Sequence, residues 1–218
     1  MAIAIFDLDN TLLNGDSDYA WGVFACEQGL VDAARFAQRN EAFYQDYQAG
    51  SLEVHAYLRH ALSPLAGQTT ETAWRWHEQF MREKVDSMIL PAAQALVEQH
   101  RRQGHQLLII TSTNRFIAEP IVRRFGITDL IASECEIRDG RYTGEPRGEP
   151  SFGEGKVNRL REWLSPRKLD LSGSSFYSDS HNDLPLLSLV DRPVAVDPDP
   201  ILRGHAIERN WPVISLRD

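Results

Sequence analysis

Four aspartates and one lysine stand where the chain changes from apolar to polar. Asp7 and Asp9 follow the apolar run IAIF, Asp179 and Asp183 follow the run SSFYS, and Lys156 lies at the start of the segment GKVNRLREWL. Carboxylates that lie close together repel one another unless a cation neutralises them. Oxygen ligands without histidine or cysteine partners suit Mg²⁺, which typically takes one or two protein carboxylates together with substrate phosphate. These residue types therefore favour a Mg²⁺ site over other metal sites.

Each of these residues also has an ordinary structural interpretation. A single aspartate after a strand is most often a turn or helix N-cap residue, and this applies to Asp9, Asp179 and Asp183. Thr111, which follows the apolar run LLII, could cap the next helix, and Lys156 could be a solvated helix residue. These separate interpretations do not explain why all of the residues fall at the ends of predicted strands or at the start of a predicted helix. We therefore predict that they form one site.

Other metal and phosphate sites find no support in the sequence. The segment HEQFM starts like a zinc-protease motif but lacks the second histidine. The segment GEGKVN resembles a P-loop, but Pro150 stands where the first glycine belongs and Val157 stands where serine or threonine would bind Mg²⁺. No GxGxxG follows a predicted strand, so dinucleotide binding is not expected either.

The elements that must position these residues are strands that alternate with helices. The runs IAIFDL, HQLLIITS, SSFYSD and RPVAVD are separated by segments with helical spacing, and Asp139-Gly140 marks a hairpin turn. Buried strands that alternate with helices predict an α/β fold with a mainly parallel sheet, covered on both faces in a three-layer, Rossmann-like arrangement. Ligands of such sheets bind beyond the carboxyl ends of the strands, which is where the acidic residues fall.

A helical block interrupts this pattern after the first strand. From about residue 14 to residue 87 the chain shows helical spacing with few β-branched runs, and Gly50 and Gly67 divide it. We predict an inserted, all-helical cap domain at residues 15–87 and an α/β catalytic core formed by residues 1–14 and 88–218.

Composition and charge exclude several classes of protein. The 218 residues carry 23 Lys and Arg against 31 Asp and Glu, a net charge of −8, without a basic stripe, so a nucleic-acid partner is not expected. No apolar run approaches the roughly 20 residues that span a bilayer, and the N-terminus shows neither a basic region nor a cleavage site. We therefore expect a cytoplasmic protein without membrane contact. Cys26 and Cys135 match no metal or redox spacing.

Taken together, the motifs resemble those of the haloacid dehalogenase (HAD) superfamily of phosphatases. FDLDNT, Thr111 after an apolar strand, Lys156 at a helix start and SDSHND occur in the order of the family's four motifs and cover residues 5–183. The helical block after the first motif is similar to that of the subgroup that includes phosphoserine phosphatases. The flanking segments NGDSDYAWG and TSTNRF are similar to a bacterial branch that contains histidinol-phosphatases.

The resemblance implies a catalytic role for four residues. Asp7 would be the nucleophile that forms an aspartyl-phosphate intermediate. Asp9 would protonate the leaving alcohol and then deprotonate the water that hydrolyses the intermediate. Thr111 would hydrogen-bond a phosphoryl oxygen, and Lys156 would neutralise the nucleophile and the phosphate.

The resemblance also implies a Mg²⁺ site and contacts to the substrate. Asp179 would bind Mg²⁺ together with Asp7 and the backbone carbonyl of Asp9. Asp183 would orient the water shell of the metal or the catalytic lysine. Further candidates for contacts to the substrate are Asn182, Thr111, Ser112, Arg115 and Arg59.

The resemblance implies L-histidinol phosphate as the expected substrate, with phosphoserine or another small phosphorylated metabolite as the alternative. Phosphoserine phosphatases use a cap arginine and a glutamate to hold the carboxylate and the amine of their substrate, and Arg59 lies near the corresponding region. If that arginine is missing, a cationic or neutral leaving group is expected, and Asp16, Asp18 and Glu27 could pair with it. These three residues could equally be solvated surface charges.

Two functions outside metabolite hydrolysis remain open. Receiver-type signalling modules also combine an acceptor aspartate, a threonine and a lysine on a parallel sheet, but they are shorter and carry no cap. Asp9 favours turnover over storage of a phosphoryl group, because it can activate the hydrolytic water. A catalytically idle HAD-like binding protein would usually have lost a motif residue, and none is lost here. We expect a monomer or homodimer whose partner is a small phosphate monoester.

Overall fold

The computed structural model describes residues 2–217, apart from the side chain of Gln48. Within these residues, seven strands form one sheet in the order β4-β3-β2-β1-β5-β6-β7. The strands are β1 (Ile3–Phe6), β2 (Gln106–Asn114), β3 (Asp129–Arg138), β4 (Arg141–Arg147), β5 (Ser175–Ser178), β6 (Arg192–Val196) and β7 (Val213–Ile214). Neighbouring strands are parallel except for β3 and β4. The mainly parallel sheet predicted from the sequence is confirmed.

The helices all lie between β1 and β7 in the chain. They are α1 (Ser17–Glu27), α2 (Ala33–Gln48), α3 (Val54–Leu62), α4 (Thr70–Phe80), α5 (Pro91–Arg102), α6 (Arg115–Arg124), α7 (Glu154–Leu164), α8 (Leu184–Leu187) and α9 (Pro200–Glu208). A π-helical turn (Met81–Val85) continues α4, and 3-10 turns lie at Ser63–Leu65, Ser165–Arg167 and His181–Asp183. In the part of the chain that the structure describes, no helix is both long and apolar enough to cross a bilayer.

The two faces of the sheet are covered by different helices. Side chains alternate along a strand, so that Ala4 and Phe6 belong to an apolar cluster with residues of α5 and α6, while Ile3 and Ile5 belong to a cluster with residues of α7, α8 and α9. This arrangement confirms the predicted three-layer core.

The hairpin between β3 and β4 turns at the predicted residues. Asp139 and Gly140 have φ angles of 49° and 72°, and Arg138 pairs with Arg141 across the turn. Positive φ at both central residues is what a two-residue hairpin turn of type I′ requires, and Asp-Gly adopts it readily.

Strand β1 lies at the centre of the sheet and carries the first motif. Phe6 pairs with Ile109 of β2 on one side and with Tyr177 of β5 on the other. The backbone N–H of Asp7 continues this ladder by donating to the carbonyl of Tyr177 at 2.9 Å. Asp7 and Asp9 therefore emerge at the carboxyl end of a strand that is held on both sides.

The helical block, helices α1 to α4, lies between β1 and α5 in the chain. The chain enters and leaves it side by side, because Leu13 and Ile89 form an antiparallel bridge and the N–H of Asn14 donates to the carbonyl of Met88 at 2.8 Å. These contacts join the two chain segments at which the helical block begins and ends.

The helical block shares its apolar core with the rest of the molecule. Trp21 of α1 and Phe80 of α4 belong to the same cluster as Phe116 of α6, and the rings of Trp21 and Phe116 lie 5.2 Å apart. The division into a cap at 15–87 and a core at 1–14 and 88–218 therefore stays a prediction.

Candidate active site

A buried ionic cluster lies at the carboxyl ends of β1 and β5. Lys156, in the first turn of α7, places Nζ 2.7 Å from Asp7 Oδ1, and 2.8 and 2.9 Å from the two carboxylate oxygens of Asp183. These three side chains, here called the Lys156 cluster, are 9% exposed or less. Ser178 Oγ donates a further hydrogen bond of 2.6 Å to Asp183. A lysine buried this deeply is stabilised by such carboxylate partners, because an unpaired buried charge is costly.

The start of α7 depends on a close approach of the backbone. A Cβ at Gly155 would lie 2.1 Å from the carbonyl oxygen of Pro150, so no residue other than glycine fits there. Gly153, which precedes the helix, has a φ of 52°. The glycines around Lys156 therefore serve the turn and the packing that position the lysine, and they do not form a P-loop.

The site carries more negative charge than Lys156 balances. Burial raises the pKa of Asp7 to about 7, although Lys156 acts to lower it, and the charge of Asp183 adds to the rise. Burial, followed by the charges of Asp7 and Asp183, raises the pKa of Asp179 well above its ordinary value. A further cation near these carboxylates would relieve this repulsion.

The donor set fits Mg²⁺ and not a metal held by protein ligands alone. Among residues 2–217, no group of three His, Cys, Asp or Glu side chains is arranged to hold a metal ion. Asp179 Oδ1 accepts a hydrogen bond of 3.0 Å from Thr11, while both oxygens of Asp183 are engaged by Lys156 and Ser178. Asp7 and Asp179 would be the carboxylate ligands of a Mg²⁺ ion, which typically takes one or two protein carboxylates and completes its shell with water and phosphate.

Asp9 is held away from the lysine, on the side of the helical block. Its Oδ1 accepts the N–H of Ser17, the first residue of α1, at 2.6 Å, and its Oδ2 accepts the Thr113 hydroxyl at 2.7 Å. Thr111 Oγ1 lies 3.5 Å from the same Oδ2 and accepts the N–H of Thr113 at 3.1 Å. The two carboxylates after β1 therefore have different environments, since Asp7 contacts a cation and Asp9 contacts neutral donors.

Two predicted substrate residues are engaged elsewhere. Arg115 donates from Nε and Nη2 to the carboxylate of Glu134 at 2.9 to 3.0 Å. Arg59 is 49% exposed and lies 3.8 Å from Glu53. Neither arginine contacts the Lys156 cluster: Glu134 of β3 holds the Arg115 guanidinium, whereas Arg59 lies on the surface near the N-cap of α3.

Two other candidates lie beside predicted catalytic residues. Ser112 is partly buried next to Thr111 in β2. Asn182 donates from its backbone N–H and from Nδ2 to Ser180 Oγ at 3.2 and 3.3 Å. Asn182 thus supports the 3-10 turn that carries Asp183.

A second acidic group lies at the start of α1. Asp18 is 6% exposed and accepts a hydrogen bond of 3.2 Å from Asn114 Nδ2. Burial and then the charge of Asp16 raise the pKa of Asp18 well above its ordinary value. None of the ion pairs within residues 2–217 includes Asp16 or Asp18, whereas Glu27 pairs with a lysine at 2.7 Å and is half exposed.

The groups that orient the aspartates are not among the site residues predicted from the sequence. They are Thr113 and the Ser17 N–H at Asp9, Thr11 at Asp179 and Ser178 at Asp183. Thr113 could have been found, because residues two apart on a strand share a face and Thr111 was already a candidate. A backbone N–H donated by a helix that follows a loop leaves no signal in the sequence.

A cavity of about 640 Å³ lies between α5 and strands β5 and β6, away from the Lys156 cluster. Its lining includes His100, Arg192, Arg209 and Trp211. It contains no converging carboxylates, so the chemistry points to the cluster and not to this cavity.

The chain is similar to a family model of hydrolases and to proteins named as phosphatases. The family model described as haloacid dehalogenase-like hydrolase matches residues 4–188. The chain is 48% identical to a histidinol-phosphatase of Neisseria meningitidis, over 99% of both chains. It is 34% identical to phosphoserine phosphatase SerB1 of Mycobacterium tuberculosis, over 99% of this chain and 71% of the relative.

Solved structures show the same fold. A protein of unknown function from Bordetella pertussis Tohama I matches with a TM-score of 0.92 at 42% identity, over 99% of this chain and 98% of the other. A substrate-bound phosphoserine phosphatase complex matches with a TM-score of 0.70 at 16% identity, over 99% and 93% of the two chains. At that identity the second match concerns the fold alone.

Proposed function

This chain belongs to the haloacid dehalogenase-like hydrolase family and is a phosphatase, and from that premise we propose that it hydrolyses a small phosphomonoester with Mg²⁺ through an aspartyl-phosphate on Asp7. The observation that carries the proposal is the buried Lys156 cluster, in which one lysine contacts both Asp7 and Asp183. We further infer that L-histidinol phosphate is the preferred substrate.

Asp7 has the contacts expected of a nucleophile. Lys156 engages Oδ1 at 2.7 Å, and no hydrogen bond within residues 2–217 reaches Oδ2, so the carboxylate keeps lone pairs for attack on phosphorus. Attack by an anionic carboxylate on an anionic phosphate needs positive charge close by. Lys156 supplies such charge from a fixed, buried position, and Mg²⁺, which phosphatases of this family generally use, would supply more when bound.

Asp9 has the contacts expected of a general acid–base residue. The Ser17 N–H and the Thr113 hydroxyl hold its carboxylate from two sides, at 2.6 and 2.7 Å. In the first step protonated Asp9 would give its proton to the leaving alcohol. In the second step the same carboxylate would take a proton from the water that attacks the phosphoryl group on Asp7. The cycle then ends with inorganic phosphate, free Asp7 and protonated Asp9.

The acidic residues at the start of α1 support a cationic leaving group. Asp18 is buried without a cationic partner among the described residues, and Asp16 lies close enough for its charge to act on Asp18. Arg59, the candidate for binding the carboxylate of phosphoserine, is exposed and faces Glu53. The ammonium and imidazolium groups of histidinol phosphate would complement this acidic region. A relative at 48% identity carries the name histidinol-phosphatase, whereas a relative named phosphoserine phosphatase SerB1 is 34% identical.

Steady-state kinetics with L-histidinol phosphate and phosphoserine, each with Mg²⁺ and with EDTA, test the proposal. We expect a higher kcat/KM for histidinol phosphate and loss of turnover in EDTA. A higher kcat/KM for phosphoserine would reject the substrate assignment. A single phosphorylation event without turnover would indicate a receiver-type module instead.

The variant Asp7→Asn tests the nucleophile. Freshly purified and checked by mass spectrometry for deamidation, it should show no turnover, because an amide cannot form the aspartyl-phosphate. Asp46→Asn, an exposed position on α2, is the matched control and should keep full activity. Wild-type-like activity of Asp7→Asn would remove Asp7 from the mechanism.

Location and assembly stay predictions from the sequence. We expect a cytoplasmic enzyme that is a monomer or a homodimer, and light scattering on the purified protein distinguishes the two states.

A further inference from the structure

A tyrosine of the helical block contacts the loop that carries two of the aspartates. Tyr47, in the last turn of α2, forms a hydrogen bond of 2.7 Å with Ser180 Oγ. Ser180 lies between Asp179 and the 3-10 turn that contains Asp183. The bond therefore joins the helical block to the catalytic end of the sheet.

Ser180 belongs to the hydrogen-bond network of that loop. Its Oγ accepts the N–H of Asn182 at 3.2 Å and caps the 3-10 turn. Its own N–H donates to Ser178 Oγ at 3.2 Å, and Ser178 in turn donates to Asp183. The Tyr47 hydroxyl therefore contacts a residue that is linked, through Ser178, to Asp183 of the Lys156 cluster.

The ring and the hydroxyl of Tyr47 make separate contacts. The ring centroid lies 6.4 Å from that of Phe152, in the segment that leads into α7. Burial raises the pKa of Tyr47 above its ordinary value, so the hydroxyl stays protonated and keeps its hydrogen bond at neutral pH. Replacement by phenylalanine removes the hydroxyl and leaves the ring.

We propose that Tyr47 is a positioning residue that fastens the helical block over the active site through Ser180 and so stabilises the substrate-bound enzyme. The inference rests on the proposed function, because it assumes that substrate binds between the block and the Lys156 cluster. Tyr47 acts through Ser180 and not on the reacting atoms. It should therefore stabilise the bound ground state and the transition state equally, and an interaction of this kind appears in KM and not in kcat.

The variant Tyr47→Phe should raise KM for L-histidinol phosphate by about 2- to 12-fold, the range that one net hydrogen bond supplies. Its kcat should stay at the wild-type value, and a cooperative urea unfolding transition should show that the variant is folded. Tyr44→Phe is the matched control, since Tyr44 lies one turn earlier in α2 and is 55% exposed. An unchanged KM, or a lower kcat with unchanged KM, would overturn the proposal.

Two further measurements isolate the path through Ser180. In a double-mutant cycle, Tyr47→Phe should have no effect in the Ser180→Ala background, whereas additive effects would overturn the proposal. Hydrogen exchange without substrate should speed up at residues 178–183 in Tyr47→Phe, and unchanged exchange would also overturn it. If the wild-type enzyme hydrolyses neither phosphate ester, the proposed function fails, while the exchange measurement still decides the role of the Tyr47 hydroxyl.

Discussion

Replacing Lys156 with methionine should destabilise the protein most at alkaline pH. In the wild type Nζ lies 2.7 Å from Asp7 and 2.8 Å from Asp183, and all three side chains are buried. Methionine keeps most of the apolar stem but leaves two carboxylates without a counterion. Removing one partner of a buried ion pair costs about 3–5 kcal/mol of unfolding free energy, because the charge left behind is uncompensated.

The pH dependence follows from the proton that the variant can take up. Burial raises the pKa of Asp7 from 3.8 to about 7 against the opposing effect of Lys156, and without the lysine the pKa rises further. A carboxyl with a raised folded-state pKa contributes stability at low pH that is lost as the pH rises to that pKa. In the wild type the free energy of unfolding stops falling with rising pH near pH 7, whereas in the variant it continues to fall above pH 7. The destabilisation relative to wild type should therefore grow by about 1.4 kcal/mol for each pH unit above 7.

Urea unfolding followed by tryptophan fluorescence measures this effect at pH 6, 7.5 and 9, with EDTA present throughout. Lys168→Met is the matched control, because it removes the same charge from an exposed position. We expect a loss of about 3–5 kcal/mol for Lys156→Met at pH 9, a smaller loss at pH 6, and little change for the control. A loss that does not vary with pH, or that equals the loss of the control, would refute the reasoning.

Three further perturbations test the site and its surroundings. Asp9→Asn should lower kcat by about 100-fold or more, the contribution of a general acid–base group, and steady-state kcat near wild type would contradict this. Thr113→Val removes the 2.7 Å bond to Asp9 and should lower kcat by roughly 10-fold; Thr113→Ser should restore it, and equal rates for both variants would contradict the role. Burial lowers the pKa of His77 to about 4, so the stability that His77 contributes above pH 6.5 should be lost as the pH falls towards 4. In thermal melts from pH 4 to 7, the melting temperature of His77→Phe should therefore fall less at low pH than that of the wild type. An equal fall in both proteins would argue against this assignment.

The sequence was sufficient to predict the architecture of the core and the proximity of Asp7, Lys156 and Asp183. Buried strands show as apolar runs, and the Asp139-Gly140 turn shows as a residue pair, because both depend on neighbouring residues. In a parallel sheet the strand ends share one edge, so Asp7 and Asp183 could be placed together from their positions after β1 and β5. Lys156 joined them because the start of α7 lies at the same edge.

Only the tertiary structure decided the partners of the remaining polar groups. Arg115 is taken by Glu134 of β3, Asp9 turns towards Thr113, and Tyr47 reaches a loop 133 residues away. A hydrogen bond requires two atoms within about 3 Å in a suitable direction, and for residues so distant in sequence that distance depends on how helices pack on the sheet. Local patterns carry the type and the spacing of residues, whereas the pairing of polar side chains depends on packing that no single segment specifies.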